Sequence, residues 1–342
     1  MKFATFLTAG ALAAVATATT PKGLDDFAWD VEGYAKDNPV GEAVVGGKGG
    51  PTVTVTDYPT LATALAGNEP RIVKVIGAIK PEARVIVGSN KSLIGCKNSG
   101  SIYDKGVTVA NATNVIIQNM RINDVIGNDA ITISNSTRVW IDHNELTSDN
   151  NHGPDYYDGL IDIIRGSDYI TVSWNYMHDH WKTSLVGNEP TFTHELGKYH
   201  VTYHHNYWQR LGTRGPAGRF GFHHIYNNLY EDFYYQAIHS RSDNQALIEG
   251  NVFRGDSGEA VSTHGLVVPE DSPNFCVCGD DEKDGFANLG YRNDWGSATV
   301  NITRVGTFSK APYRYKLTPL KLVEGLVKLG AGIGKVDIDV IE

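Results

Sequence analysis

The chain has few of the residues that hold small secreted proteins or zinc domains together. Among its 342 residues are 3 Cys, 3 Met and 13 Pro. Three cysteines permit at most one disulfide, so disulfides are not the main support of a chain of this length. No second Cys pair or matching His pair has zinc-ligand spacing, and His194-Glu195 lacks the second His of a metalloprotease helix. Stability must therefore come from a large buried core.

Positive charge is also scarce. The 30 Lys and Arg residues against 39 Asp and Glu give a formal net charge of −9. Nucleic-acid binding normally needs a basic face that displaces counterions, so a nucleic-acid partner is excluded. Glycine, by contrast, is abundant with 37 residues, which favours a chain with many tight turns.

Long apolar runs are absent except at the start of the chain. Met1-Lys2 precedes an apolar run from Phe3 to Val15, which ends in Ala16-Thr17-Ala18. This pattern predicts a secretory signal peptide over residues 1–18 and a secreted, extracellular protein without a membrane partner. The alternative is a membrane anchor, but the run is short for a membrane span. Four Asn-x-Ser/Thr sequons could then carry glycans, at Asn90, Asn111, Asn135 and Asn301.

Six segments of the chain repeat one pattern. Their first and third positions are mostly apolar and their eighth position is large and apolar; the segments are Val115–Ile122, Val139–Leu146, Ile170–Met177, Val201–Trp208, His223–Tyr230 and Ala246–Phe253. The period is about 22 to 24 residues, with two longer intervals of 31. Strands that recur at this period with few hairpin signals predict an all-β, single-stranded right-handed parallel β-helix.

A column of asparagines and two end segments complete this prediction. The sixth position of the repeat is Met120 and then Asn in all five later segments, which we interpret as a structural ladder at a left-handed bend. The apolar face of Leu24–Lys36 predicts an N-terminal capping helix, and the segment from Tyr313 to Glu342 is expected to pack along the outside. We expect one catalytic domain over residues 19–342, with a cap at about 19–50, coils at about 51–310 and a tail at about 311–342.

Acidic residues gather on one predicted face. Asp129 and Asp162 precede their aligned strands by 10 and 8 residues, and the even spacing of Asp158 and Asp162 places both on one side of a strand. Three converging carboxylates would repel each other unless a cation lies between them, and hard oxygen ligands favour calcium. Solvated surface acids are the alternative. The polar and aromatic insertion 149–157 is expected to form one wall of a groove.

A basic set follows the acids: Lys182, Arg214 and Arg219. Arg214 precedes its aligned strand by 9 residues, which predicts that it lies on the same face as Asp129 and Asp162. Gly and Pro around both arginines indicate a backbone held tightly beside a ligand, although surface salt bridges are the usual role of arginine.

These motifs resemble one known family. The matching segments are Val139–His143, Asp158–Asp162, Lys182 with Leu185–Gly187, Val201–Asn206, Arg214–Arg219 and Tyr226–Asn228. In order and spacing they are similar to the extracellular pectate lyases of polysaccharide lyase family 1, from about Val45 to Phe253.

The resemblance implies a role for each matched residue. Asp129, Asp158 and Asp162 would bind calcium, Lys182 and Arg219 would hold substrate carboxylates, and Arg214 would be the catalytic base. The implied substrate of this monomeric enzyme is polygalacturonate, the de-esterified form of pectin, cleaved by β-elimination to 4,5-unsaturated oligogalacturonides. Some bacterial members carry a further acid where this chain has Gly127, which leaves the number of calcium ions open.

Three rival functions follow from the same residues. A pectin lyase would act on methylated pectin without calcium and would have no need of three converging acids. A glycoside hydrolase would need a pair of carboxylates placed as acid and base. A non-catalytic β-helix that binds carbohydrate would leave the basic set without a role.

Overall fold

The computed structural model describes residues 31–96, 98–268, 271 and 280–336. Parallel strands wind into the predicted right-handed β-helix, whose first face is a single sheet. Its strands are β1 (Thr52–Val55), β2 (Arg71–Val75), β5 (Lys91–Gly95), β8 (Thr113–Gln118), β11 (Thr137–Asp142), β14 (Asp168–Ser173), β17 (His200–His204), β20 (Phe222–Tyr226), β22 (Gln245–Glu249) and β27 (Phe286–Leu289).

Two further faces are joined by one long strand, β21 (Leu229–Ser240), whose halves belong to different faces. The second face contains β3 (Ala78–Ile79), β6 (Ser101–Tyr103), β9 (Arg121–Asn123), β12 (Glu145–Thr147), β15 (Tyr176–Lys182), β18 (Tyr207–Thr213) and β23 (Val252–Arg254). The third contains β4 (Val85–Val87), β7 (Val107–Ala110), β10 (Ile131–Ser134), β13 (Ile161–Ile164), β16 (Leu185–Val186), β19 (Ala217–Gly218), β24 (Glu259–Ser262) and β28 (Thr299–Asn301).

Outside these faces lie a short antiparallel pair and the helices. The pair is β25 (Leu266–Val267) with β26 (Asp280–Asp281), and the helices are α1 (Tyr58–Leu65), α2 (Leu320–Gly330) and a 3₁₀ turn at Thr193–Glu195. In the part of the chain that the structure describes, no helix is both long and apolar enough to cross a bilayer.

The strand register confirms the repeat found in the sequence. Val139 pairs with Val115 on one side and Ile170 on the other, and Val201 pairs with Ile170 and His223. These residues are buried in one large core, because side chains at alternate positions of every strand point into the coil. Apolar burial at each coil is therefore what fixes the stacking.

The asparagine ladder is present, but the left-handed residue lies one position earlier than predicted. Asn175 is buried and in an ordinary conformation, whereas its predecessor Trp174 has φ 52°. The side-chain oxygen of Asn206 accepts from the backbone N–H and the side-chain amide of Asn175, both at 3.0 Å. The column thus satisfies backbone groups at a bend that the preceding residue makes.

The structure describes only part of the predicted N-terminal cap. Of the predicted helix over Leu24–Lys36, residues 24–30 lie outside the described residues, and residues 33–36 form a bend and a turn. Helix α1 packs on the first coils and buries Leu61 and Leu65 in the main core. At the other end, α2 packs Val323 and Val327 against the outer side of Leu229 and Val252, as the tail was expected to do.

Candidate active site

Two of the three predicted acids meet on the third face. Asp162 lies in β13 and pairs in register with Thr132 of β10, while Asp129 stands two residues before that strand. Both are more than nine-tenths buried. Asp129 accepts hydrogen bonds from the Thr132 hydroxyl at 2.5 Å and from the Gly159 backbone at 3.0 Å. Asp162 accepts from the Leu185 backbone at 3.0 Å.

Gly159 shows how close the two carboxylates lie. A Cβ built on Gly159 would stand 2.3 Å from Asp162 Oδ1 and 3.1 Å from Asp129 Oδ1. Both oxygens therefore pack against the Gly159 backbone, an approach that only glycine permits. Carboxylate oxygens are the ligand type that calcium prefers.

The electrostatics of this pair are those of crowded anions. Burial and the neighbouring charge of Asp158 raise the pKa of Asp129. Burial and the charge of Asp129 raise the pKa of Asp162 well above its usual value. Arg84 donates to the Asp129 backbone carbonyl at 2.7 Å and offsets part of this repulsion. A bound cation would relieve the remainder.

Asp158 is placed differently from the prediction. Strand β13 begins at Ile161, so Asp158 lies in the preceding loop and does not share a strand side with Asp162. Its side chain is 50% exposed and lies 3.9 Å from the Lys182 amino group. Among the described residues, no group of three or more Asp, Glu, His or Cys side chains is arranged so that it could hold a metal ion. The two buried acids fit a cation, and Asp158 would have to turn inward to complete the set.

Lys182 ends β15 and points toward the acidic loop. Its buried amino group donates to Asp155 Oδ1 at 2.6 Å. Asp155 is 43% exposed, so this ion pair opens to solvent on its acidic side. A substrate carboxylate that takes the place of Asp155 would contact the Lys182 amino group directly.

Arg214 follows β18 and is almost fully buried. It donates through Nε to the Asp271 carboxylate and through Nη2 to the Asp271 backbone carbonyl at 3.1 Å. Burial alone would lower the pKa of Arg214, but the charges of Asp271 and Asp162 outweigh it and raise that pKa above its usual value. Arg214 and the buried acids thus share one electrostatic environment.

Arg219 is held in a tighter arrangement than the sequence indicated. Its guanidinium makes a bidentate pair with Glu282 and donates to the Gly187 carbonyl at 2.6 Å. The side chain is 8% exposed. Arg241, which is also buried, contacts both Asp271 and Glu282. Together these groups line a cavity of about 400 Å³ beside Leu185.

Asp155, Asp271, Glu282 and Arg241 were missed by the sequence reasoning. Asp271 and Glu282 come from the region beyond residue 254, where the strand repeat gives no alignment and so no column to place them. One signal in the sequence could have pointed to these acids. A buried arginine needs an acidic partner, so Arg214 and Arg219 require carboxylates nearby.

A family profile, sequence relatives and solved structures all match this chain to the same family. A family profile described as pectate lyase matches residues 4–335. Pectate lyase A of Emericella nidulans is 40% identical over 282 residues, which cover 81% of this chain and 80% of that protein. Pectate lyase A of Aspergillus niger is 38% identical over 282 residues, with the same coverage.

Solved structures agree in fold. A pectate lyase from Bacillus sp. N165 in complex with trigalacturonate superposes with a TM-score of 0.74 at 29% identity, covering 90% of this chain and 100% of that one. Pectate lyase II from Xanthomonas campestris, at 24% identity, has a TM-score of 0.70 over 89% of this chain and 98% of its own. The latter shows the shared fold alone.

Proposed function

The chain belongs to the pectate lyase family and is a polysaccharide lyase, and from this premise we propose that it cleaves polygalacturonate by calcium-dependent β-elimination. One observation carries the proposal. Asp129 and Asp162 are both buried, and Arg214 lies close enough for its charge to oppose part of the rise in the pKa of Asp162. Burying two carboxylates on the face of a β-helix costs stability, which favours a functional role for them.

The substrate supplies the reacting atoms. Galacturonate carries a carboxylate on carbon 6, so the proton on carbon 5 is α to it. Removal of that proton forms a double bond between carbons 4 and 5, the bond from carbon 4 to the glycosidic oxygen breaks, and the leaving oxygen takes up a proton. No water is consumed, and the new chain end is a 4,5-unsaturated uronide.

Calcium would be held by Asp129, Asp158 and Asp162. The two buried acids both pack against Gly159, and the half-exposed Asp158 precedes that glycine in the same loop. When bound, calcium supplies charge neutralisation for the substrate carboxylate and for the negative charge that develops on carbon 5.

Arg214 is the proposed base that takes the carbon 5 proton. Its ion pair with Asp271 fixes the guanidinium but also favours its charged form. A charged guanidinium must lose a proton before it can accept one, so we expect turnover to increase toward alkaline pH. Arg214→Ala should abolish turnover yet preserve the fold, because Asp271 keeps Arg241 as its second partner at 3.2 Å.

Lys182 and Arg219 are the proposed contacts for substrate carboxylates. Lys182 offers its amino group at the edge of the groove, where a uronate carboxylate can replace Asp155. Arg219 would reach a carboxylate only by sharing its guanidinium with Glu282. We therefore expect Lys182→Ala to weaken polymer binding more than Arg219→Lys does.

The reaction class is tested by digesting polygalacturonate and highly methylated pectin in water labelled with a heavy oxygen isotope. The products are then analysed by mass spectrometry. Elimination gives unsaturated products that absorb in the ultraviolet and carry no heavy oxygen at the cleaved bond. Saturated products that carry the heavy oxygen would identify a hydrolase, and preference for the methylated polymer would identify a pectin lyase.

The setting of the enzyme is part of the proposal. We place a signal peptide at residues 1–18, which lie outside the described residues, and one catalytic domain over 19–342, secreted as a monomer. Asn111, Asn135 and Asn301 are exposed and are the candidates for glycosylation, as is the half-buried Asn90. Cys276 and Cys278 lie outside the described residues.

A further inference from the structure

His180 is a buried histidine that lies beside the proposed calcium site. It belongs to β15, two residues before Lys182, and is 2% exposed. Its ring bridges the two ends of the insertion 149–157. Nδ1 lies 2.6 Å from the Ser148 hydroxyl, and Nε2 lies 2.7 Å from the Asp158 backbone carbonyl. Because a carbonyl only accepts hydrogen bonds, Nε2 must carry the proton and donate it to Asp158.

This hydrogen bond orients one peptide group, which joins Asp158 to Gly159. The carbonyl of that peptide accepts from His180, and its N–H, which belongs to Gly159, donates to Asp129 Oδ1 at 3.0 Å. The peptide is trans and therefore planar, with its carbonyl and its N–H pointing in opposite directions. The imidazole that fixes the direction of the carbonyl thus also fixes the N–H that Asp129 accepts.

Gly159 explains why this peptide needs a fixed partner. Only glycine fits at the position, because a Cβ would stand 2.3 Å from Asp162 Oδ1. Glycine also has more backbone freedom than any other residue, so the peptide before it can rotate at little cost. Such a rotation would take the N–H away from Asp129 and turn the backbone that carries Asp158. The hydrogen bond from His180 opposes this rotation.

The same contact sets where the charged groups of the loop lie. Asp158 Oδ1 is 3.9 Å from the Lys182 amino group, which also donates to Asp155 Oδ1 at 2.6 Å. His180 and Lys182 share one strand, so the bond to the Asp158 carbonyl holds the loop against the strand that presents the lysine. The Asp158 side chain is 50% exposed and can still rotate, because His180 holds only its backbone.

We propose that His180 is a positioning residue for the calcium site, and that it acts through its hydrogen bond to the Asp158 carbonyl. This inference rests on the proposed calcium-dependent function. In this role His180 contacts neither the metal nor the substrate. It holds the peptide between Asp158 and Gly159, so that Asp129 keeps its N–H partner and the Asp158 backbone keeps its direction.

Two substitutions by side-chain amides separate this role from simple packing. In His180→Gln the amide nitrogen takes the position of Nε2 and can still donate to Asp158, whereas in His180→Asn it extends only as far as Nδ1. Calcium affinity is measured by calorimetry on the protein without substrate. His180→Asn should bind calcium about 10- to 100-fold more weakly, the range for losing a group that orients a metal ligand, and His180→Gln should bind it nearly as the wild type does.

His178→Asn is the matched control. It makes the same change two residues earlier in β15, where the ring contacts Glu145 and Asp179, and it should leave calcium affinity unchanged. Denaturant unfolding establishes that each variant is folded before it is titrated.

Two outcomes separate the role of His180 from the calcium site itself. If the wild type binds calcium but His180→Gln binds it as weakly as His180→Asn, or neither variant binds it more weakly than the wild type, the role of His180 is overturned. If the wild type binds no calcium, the proposed calcium site is refuted, and the role of His180 with it.

Discussion

At the scale of single residues, Gly159 is the clearest link between sequence and chemistry. It lies beside two buried carboxylates, and its missing side chain lets both approach its backbone closely. The sequence pattern identified Asp129 and Asp162, because the coil repeat places them on one face. It did not identify the partners of Arg214 and Arg219, because these acids come from outside the repeat.

Gly159→Ala tests the cation site. The added methyl would crowd Asp162 Oδ1 at 2.3 Å, which forces the two acids apart at a cost of about 1–3 kcal/mol. Calcium affinity measured by calorimetry should fall about 10-fold or more. Gly153→Ala lies in the same loop, where a Cβ meets nothing within 4 Å, and should bind calcium as the wild type does. Equal affinities for all three proteins would refute the assignment.

At the scale of elements, the repeat predicted the strands well and the bends less well. Alternating burial fixes which residues pair from coil to coil, so the register could be obtained from apolar positions alone. The bend depends on which backbone torsion is left-handed, and Trp174 adopts it where the pattern pointed to Asn175. The predicted capping helix stays a prediction, because residues 24–30 lie outside the described residues.

Asn206→Ala tests the ladder. The Asn206 amide donates to the Val172 carbonyl at 2.9 Å and to Asn228 at 3.0 Å, and its oxygen serves Asn175. Loss of this side chain leaves several buried polar groups without hydrogen-bond partners, so the free energy of unfolding should fall by about 2–4 kcal/mol. Asn151→Ala, in an exposed loop, should change it little. Denaturant unfolding measures the free energy of unfolding of both variants. A small effect of Asn206→Ala would show that the ladder has no structural role.

At the scale of the whole molecule, buried imidazoles set the response to acid. Burial lowers the pKa of His205 and His223 to about 3 and that of His180 and His239 to about 4. Unfolded histidine titrates near 6.5, so between these values the unfolded chain binds more protons. Their stabilising effect is complete above about pH 6.5 and decreases as pH falls, by up to about 1.4 kcal/mol per pH unit for each imidazole.

His223→Leu isolates one of these groups. His223 occupies the core column shared by Val201 and Ala246, so leucine suits the position. The variant should show a shallower decrease in the free energy of unfolding between about pH 6.5 and 4, by up to one proton. His194→Gln changes a side chain that is 76% exposed and should leave the slope as it is. An unchanged slope in His223→Leu would mean that this imidazole is already charged in the folded protein.

The proposed catalysis requires a cation at the buried acids, and calcium titration of turnover tests this requirement most directly. Purified protein is treated with a chelator, and release of unsaturated product from polygalacturonate is followed as calcium is returned. We predict that turnover disappears with the chelator and returns with calcium. Undiminished turnover in excess chelator would contradict the role given to Asp129, Asp158 and Asp162.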